Sequence, residues 1–180
     1  MKFGSLPLKD ALGAVLAHST ATPSGLLKKG RALSAADIAA LQDTGLTHAV
    51  VARLEPDDVA EDRAAQRIAT ALAGRGVAMT APFTGRVNLT ALMDGVATLD
   101  VAKLQALNLI DEGVTVATVL PFERVSAGQM IATIKIIPFG VPERHVAAAE
   151  KLAVAGLVSV AAFKARRAGL VLTRLTGTKE

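Results

Sequence analysis

The sequence predicts a mixed α+β protein made of small helix–strand modules with a β-rich central part. Amphipathic helical patterns alternate along the chain with short apolar runs. Two β-branched runs, at residues 114–120 and 130–139, are bounded by turn residues, which is typical of strands. Of the 180 residues 51% are hydrophobic, but only five are Phe and none is Trp or Tyr. The core must therefore consist mainly of aliphatic side chains.

The first predicted module covers residues 1–54. Apolar residues at helical spacing predict an amphipathic helix at residues 6–16. Ser34 and Asp37 have the spacing of a capping box, so a second helix is expected to start there. An apolar run at residues 47–54 then predicts a strand.

The second predicted module, residues 55–163, mixes helices with strands. The expected elements are, in order, a helix at 59–73, a strand at 77–79, a loop at 82–89, a short helix capped by Asp100, the two β-branched strands, a helix opened by Pro142 that runs to about residue 154, and a strand at 157–163. The two β-branched strands are expected to pair across a connection somewhat longer than a tight hairpin.

The third predicted segment, residues 164–180, consists of a basic linker followed by an apolar run at residues 168–175 and then Thr176-Gly177. In an α/β domain, a buried strand followed by such a turn leads to a helix that binds ligands at its N-terminus. We therefore expect the chain to stop within the first strand of a truncated α/β domain. A final edge strand is the alternative.

Composition and charge exclude several classes of protein. The chain has no cysteine, which excludes disulfides, thiolate metal sites and cysteine nucleophiles. Charged residues near the start and the lack of a run of about 18 apolar residues predict a cytoplasmic protein without membrane contact. The formal charge is +4, but the two short basic clusters, at residues 28–31 and 164–167, contain no aromatic residues. Nucleic-acid binding is therefore not expected.

The best candidate for a binding loop contains Thr84, Gly85, Arg86 and Asn88. A hydroxyl, a glycine, a guanidinium and an amide within five residues have the chemistry to hold a phosphate or a carboxylate. An ordinary polar turn with Arg86 in water is the alternative.

Lys135 is the other candidate ligand-binding residue. It interrupts an apolar strand, and strand alternation places it on one face with Ile131, Thr133 and Ile137. If that face were buried, Lys135 would need an anionic partner. We expect the face to be exposed, and the charge of Lys135 would then prevent aggregation through this strand.

No catalytic residue and no metal ligand is predicted. The three histidines, His18, His48 and His145, are far apart, and none has a two-histidine helical spacing. No Gly-x-Ser-x-Gly motif is present. Residues 25–30 have the glycine spacing of a P-loop, but Arg31-Ala32 replaces the required Lys-Ser or Lys-Thr, which indicates a simple turn.

Several segments resemble molybdopterin molybdenumtransferases. LPLKDALGAVLA at residues 6–17 is similar to the start of these proteins, and residues 27–47 resemble their segment of basic loop, helix, glycine and strand. LVLTRLTG at residues 170–177 resembles the first strand and turn of their molybdopterin-binding domain. Residues 83–89 and 128–139 look like a less familiar branch of molybdopterin-binding proteins. Residues 55–160 depart from the transferases, because they lack the acidic and glycine-rich pattern of the central domains.

The resemblance implies that this chain is the N-terminal scaffold of a molybdopterin-binding protein in molybdenum cofactor biosynthesis or handling. The implied ligand is molybdopterin or its nucleotide form, bound mainly by the truncated molybdopterin-binding domain that begins near Gly169. The scaffold would form a homodimer or orient that domain, without a complete active site of its own. Whether the full-length protein is an enzyme stays open.

Two other classes of protein stay open. One is a carrier or protein-interaction module, because residues 125–132 faintly resemble the strand–turn–strand of lipoyl and biotinyl domains. Those domains display the modified lysine at a hairpin tip, whereas Lys135 lies within its strand. An enzyme that uses Arg86 with Asp94 or with Lys135 is the other alternative, and it requires a pocket that joins these residues.

Overall fold

A computed structural model describes residues 1–153, 156–173 and 177. These residues form a mixed α+β fold, as predicted, with several small sheets. The helices are α1 (Ala35–Gln42), α2 (Glu61–Leu72), α3 (Val101–Asn108) and α4 (Glu143–Ala153). The strands are β1 (Lys2–Pro7), β2 (Val15–Leu16), β3 (Thr20–Thr22), β4 (Gly25–Leu27), β5 (His48–Arg53), β6 (Asp58–Ala60), β7 (Val77–Met79), β8 (Arg86–Ala91), β9 (Gly95–Leu99), β10 (Val114–Thr118), β11 (Arg124–Val125), β12 (Met130–Ile136), β13 (Gly140–Pro142) and β14 (Val158–Ala162).

The first part of the chain forms a three-stranded antiparallel sheet in the order β1-β5-β2, with the hairpin β3–β4 and helix α1 beside it. Its core is aliphatic and includes Leu8, Leu16, Leu33, Leu41 and Val51. A separate and larger aliphatic cluster begins at Val59 and is built from the later elements. The domain boundary at residue 54 stays a prediction.

The predicted helix at residues 6–16 is wrong. The chain there forms the end of β1, a single 3-10 turn at Leu8–Asp10 and then β2. Leu12, assigned to the buried face by the helical pattern, is 61% exposed. Gly13 has a φ of +74°, which a right-handed helix does not contain. Residues of β1 pair with the whole length of β5, and this non-local pairing overrides the local periodicity.

The larger cluster lies between a four-stranded antiparallel sheet and the helices. The sheet has the order β10-β12-β8-β7, and helix α2 packs against β8 and β12. Every second residue of β8 is buried under α2, starting at Val87, while the residues between them point to the opposite face. A second sheet, β11-β9-β14, and the pair β13–β6 complete this part. One sheet face is thus covered, and the other, the outer face, is polar.

Most predicted elements of the second module are confirmed. Helices α2, α3 and α4 and strands β7, β10, β12 and β14 lie where the sequence predicted them, and β10 and β12 pair as expected. The predicted loop at 82–89 is wrong in its second half, because β8 begins at Arg86. Strands β6, β9, β11 and β13 were not predicted at all. The pairing of β8 with β12 and of β9 with β14 joins residues distant in sequence, so the local pattern was insufficient.

The predicted strand at residues 168–175 does not form within its described part. Residues 163–173 have no regular secondary structure, and Leu170, Val171 and Leu172 are each more than 80% exposed. A strand is stable only when a neighbour accepts and donates its backbone hydrogen bonds, and no described residue pairs with this segment. The last two residues of the predicted strand, Arg174 and Leu175, and the turn residue Thr176 lie outside the described residues.

Arg67 links α2 to α4 through two carboxylates. Its guanidinium donates to Glu143 at 2.6 and 2.7 Å and to Glu150 at 2.7 and 2.9 Å. The hydrogen bonds to Glu150 and then to Glu143 raise the pKa of Arg67 above its ordinary value. The planar guanidinium suits two such fork-like contacts, which fix how the two helices pack.

Arg67→Ala is expected to lower the free energy of unfolding by about 1 to 2 kcal/mol, because partly exposed ion pairs are worth little singly but these form a bidentate network. Urea unfolding followed by circular dichroism measures the loss. Arg63→Ala is the matched control, since Arg63 is exposed on the same helix. Equal stability of the two variants would contradict the structural role of Arg67.

The capping box of α1 is confirmed. The Ser34 hydroxyl accepts the Asp37 N–H at 3.2 Å, and the Asp37 carboxylate accepts the Ser34 N–H at 3.0 Å. Arg31 donates to the same carboxylate at 2.9 and 3.0 Å. The hydrogen bonds from Ser34, followed by the one from Arg31, lower the pKa of Asp37 to about 2. The folded state therefore favours the ionised form.

Asp37→Asn is expected to reduce stability at neutral pH, because the amide offers one acceptor oxygen where the carboxylate has two. The folded pKa of about 2 lies below the ordinary value of 3.8. The stabilisation by Asp37 is therefore complete above the ordinary value and is lost as pH falls through about 2. Urea unfolding at several pH values checks this, with Asp43→Asn, an exposed position just after the C-terminal end of α1, as the control. A difference between wild type and Asp37→Asn that does not shrink in acid would contradict it.

Candidate functional site

A tight turn at the tip of the β7–β8 hairpin is the centre of the candidate site. Phe83 and Arg86 exchange backbone hydrogen bonds of 3.0 and 3.1 Å, which leaves Thr84 and Gly85 as the two turn residues. Their φ angles are +49° and +70°. Such a two-residue turn with both φ angles positive is the type I′ pattern. A β-branched residue such as Thr84 is rare in this conformation, and backbone strain of this kind concentrates at binding sites.

Three contacts hold the turn in place. The Gly85 N–H donates to the Asp62 carboxylate at 2.6 Å, which ties the turn to the first turn of α2. The Gly85 carbonyl accepts the Ile136 N–H at 2.7 Å. The Lys135 ammonium donates to the Thr84 carbonyl. The strained turn is therefore fixed from the helix side and from β12.

The five residues predicted as ligand-binding lie together around this turn. Arg86 is opposite Lys135 in the β8–β12 register, and Asn88 is opposite Thr133, whose hydroxyl donates to the Asn88 side-chain oxygen at 2.9 Å. An open pocket of about 370 Å³ on the outer sheet face is lined by Thr80, Ala81, Phe83, Thr84, Arg86 and Asn88. Lys135 does not line this pocket but lies opposite Arg86 on the neighbouring strand. Two such cations with hydroxyl and amide groups beside them can bind a phosphate or a carboxylate.

The strand face predicted for Lys135 is only partly right. A β-bulge between Met130 and Ala132 shifts the register, so Ile131 is buried at 1% exposure instead of sharing the face of Lys135. Thr133 and Lys135 do lie on the outer face, where both are half-buried. Lys135 lies within β12, between β10 and β8, and not at a hairpin tip.

A second depression, the basic-loop cleft, adjoins the turn on its other side. It has a volume of about 410 Å³ and is lined by Leu26, Lys28, Lys29, Glu61, Phe83 and Thr84, among others. The loop that follows β4 thus faces the N-terminus of α2. The sequence had indicated only a simple turn at residues 25–30, and no local pattern had pointed to Glu61.

The carboxyl group of Glu61 lies in the cleft and has a raised pKa. Burial raises the pKa of its carboxyl, and the negative charge of Asp62 raises it further, while the positive charges of Lys135 and Lys29 act in the opposite direction. The methyl group of an alanine at position 85 would come within 2.7 Å of a Glu61 oxygen. The glycine is therefore required for the carboxylate to lie against the turn.

Asp94, the residue considered as a catalytic partner of Arg86, lies away from this site. Arg86 begins β8 and Asp94 follows its opposite end, where the Asp94 carboxylate accepts the Ala127 N–H at 2.9 Å. The described part of the chain contains no cluster of three or more side chains suited to a metal ion. Nor does any helix among the described residues combine the length and apolar character needed to cross a membrane.

The fold and the site together define a mixed α+β protein with a basic polar pocket beside a half-buried carboxylate. A family model described as a domain of unknown function (DUF8806) matches residues 5–53, so this part of the chain is similar to that family. No curated protein and no solved structure matches the chain.

Gly85→Ala is expected to destabilise the protein by at least about 1 kcal/mol more than Gly128→Ala. Both glycines have positive φ angles, but an added methyl group meets Glu61 and the Ile136 carbonyl at 2.7 Å only at position 85, and nothing within 4 Å at position 128. Thermal and urea unfolding of the two variants measure the difference. Equal losses would show that the turn is not tightly held against α2 and β12.

Proposed function

We propose that this chain is the N-terminal scaffold of a molybdopterin-binding protein that acts in molybdenum cofactor biosynthesis or handling. In this proposal the outer sheet face at the Thr84 turn holds the phosphate group of the ligand. The scaffold binds and orients, and the further α/β domain expected from the resemblance provides most of the ligand contacts. The sequence resemblance supports the assignment to molybdopterin-binding proteins, and the geometry of the turn supports the anion site.

The observation that carries the anion site is the direct opposition of Arg86 and Lys135 across β8 and β12. Like charges placed opposite each other destabilise a sheet. An anion bound between them would remove this repulsion, and Arg86 is exposed and able to form two parallel hydrogen bonds to a phosphate. Protein groups satisfy only one of the three ammonium hydrogens of Lys135 among the described contacts.

Neighbouring polar groups fit the same ligand. Thr84 and Asn88 line the pocket, and Thr80 stands beside Asn88, whose N–H donates to the Thr80 hydroxyl at 3.0 Å. Asn88 is held within β8, and the Thr80 N–H donates to the Asn88 carbonyl at 3.0 Å. A site that is organised before the ligand arrives loses little conformational entropy on binding.

Arg86→Gln in the full-length protein is expected to reduce the molybdopterin that copurifies from cofactor-producing cells about tenfold, because a charge-assisted bidentate contact is lost. Fluorescence of the oxidised pterin released from the protein measures the bound amount. Lys135→Met is also expected to reduce the amount of copurified molybdopterin. Circular dichroism checks that both variants are folded.

Arg63→Gln and Lys151→Met are the matched controls, since both remove one exposed positive charge from a helix. They should retain the ligand at the wild-type level. A wild-type full-length protein that retains no molybdopterin would overturn the proposed function. Retention unchanged by Arg86→Gln would overturn the anion site.

A further inference from the structure

The Glu61 carboxylate is an acceptor without a donor among the described residues. No side chain and no backbone N–H of residues 1–153, 156–173 or 177 donates a hydrogen bond to it. It is half-buried, it lines the basic-loop cleft, and burial raises the pKa of its carboxyl. Burial removes part of the hydration of this carboxylate, and a bound donor would replace the lost hydrogen bonds. A ligand with N–H groups would supply those donors.

The charges around the cleft restrict what kind of donor fits. Lys28, Lys29 and Arg31 line its rim, and Arg31 already pairs with Asp37. A cationic ligand would be repelled by this rim. An uncharged head group with N–H donors, joined to an anionic group, satisfies both Glu61 and the lysines. Neither lysine forms an ion pair within the described part of the chain.

The walls of the cleft are suited to a flat ring. Phe83 is 76% exposed and Leu26 is 60% exposed, although both are large apolar side chains that are normally covered. Both line the cleft beside Glu61. An aromatic ring and an aliphatic side chain offer stacking and apolar contact to a planar heterocycle, as at other sites that bind such rings.

We infer that the basic-loop cleft binds a planar nitrogen heterocycle with two adjacent N–H donors, linked to an anionic group. Glu61 accepts the two N–H groups, and Phe83 covers one face of the ring. Lys28 and Lys29 attract the anionic ligand to the cleft, while its phosphate group is held on the outer sheet face as proposed above. The 2-amino-4-oxopyrimidine edge shared by guanine and pterins has this donor pattern, whereas adenine lacks it. The inference deepens the proposed function and rests on it for the choice of a pterin as the natural ligand.

The test is calorimetric titration of the full chain with guanosine monophosphate and with adenosine monophosphate, and fluorescence titration with unsubstituted pterin. Guanosine monophosphate and pterin are expected to bind, and adenosine monophosphate is expected to bind at least about tenfold more weakly than guanosine monophosphate. Tighter binding of guanosine monophosphate than of pterin would show the contribution of the anion, and equal preference for both purine nucleotides would overturn the inference.

Glu61→Gln is expected to abolish the preference for guanosine over adenosine monophosphate, because the amide cannot accept two N–H groups. Glu112→Gln is the matched control, since Glu112 is an exposed glutamate outside the cleft. Because burial already disfavours the charge of Glu61, the variant should fold at neutral pH, which circular dichroism verifies. Phe83→Ala, at an exposed position, should weaken the binding of all planar probes about equally and should keep the preference for guanosine over adenosine monophosphate.

The two proposals fail separately. If the wild-type full-length protein retains no molybdopterin but guanosine monophosphate binding depends on Glu61, only the proposed function is overturned. Unchanged guanosine monophosphate binding in Glu61→Gln, or no binding of any planar probe, overturns the inference about the cleft whatever the outcome for molybdopterin.

Discussion

The hydrogen bond of 2.6 Å from the Gly85 N–H to the Asp62 carboxylate joins the tip of one hairpin to the first turn of helix α2. That helix covers the inner face of the four-stranded sheet, so the contact ties the turn to the main core. It holds Thr84 in a conformation that β-branched residues avoid. Arg86, Phe83 and Glu61 all take their positions from this junction.

The two depressions on either side of the turn differ in character but share Phe83 and Thr84. The outer-face pocket is dominated by Arg86 and polar side chains. The basic-loop cleft combines lysines at its rim with the half-buried carboxylate of Glu61. A ligand with a phosphate and a flat, N–H-bearing ring matches both, and one turn organises both surfaces.

Several features of the site oppose stability. Arg86 faces Lys135, Glu61 is desolvated beside Asp62, and Thr84 has a positive φ. Proteins keep such local conflicts mainly where binding or chemistry requires them, and the rest of the fold compensates. Here the compensation comes from a closely packed aliphatic cluster and from the Arg67 link between α2 and α4. The conflicts at the turn are thus local.

The sequence by itself determined the mixed α+β class, helices α2 to α4, the capping box at Ser34 and the β10–β12 pair, because periodicity, caps and β-branched runs are local signals. It also located the polar loop at Thr84. Only the tertiary structure decided that β1 pairs with β5 in place of a helix, that residues 168–173 form no strand, and that Glu61 lies half-buried beside the turn. These outcomes depend on contacts between residues distant in sequence, whose free energies exceed local propensities and leave no local pattern.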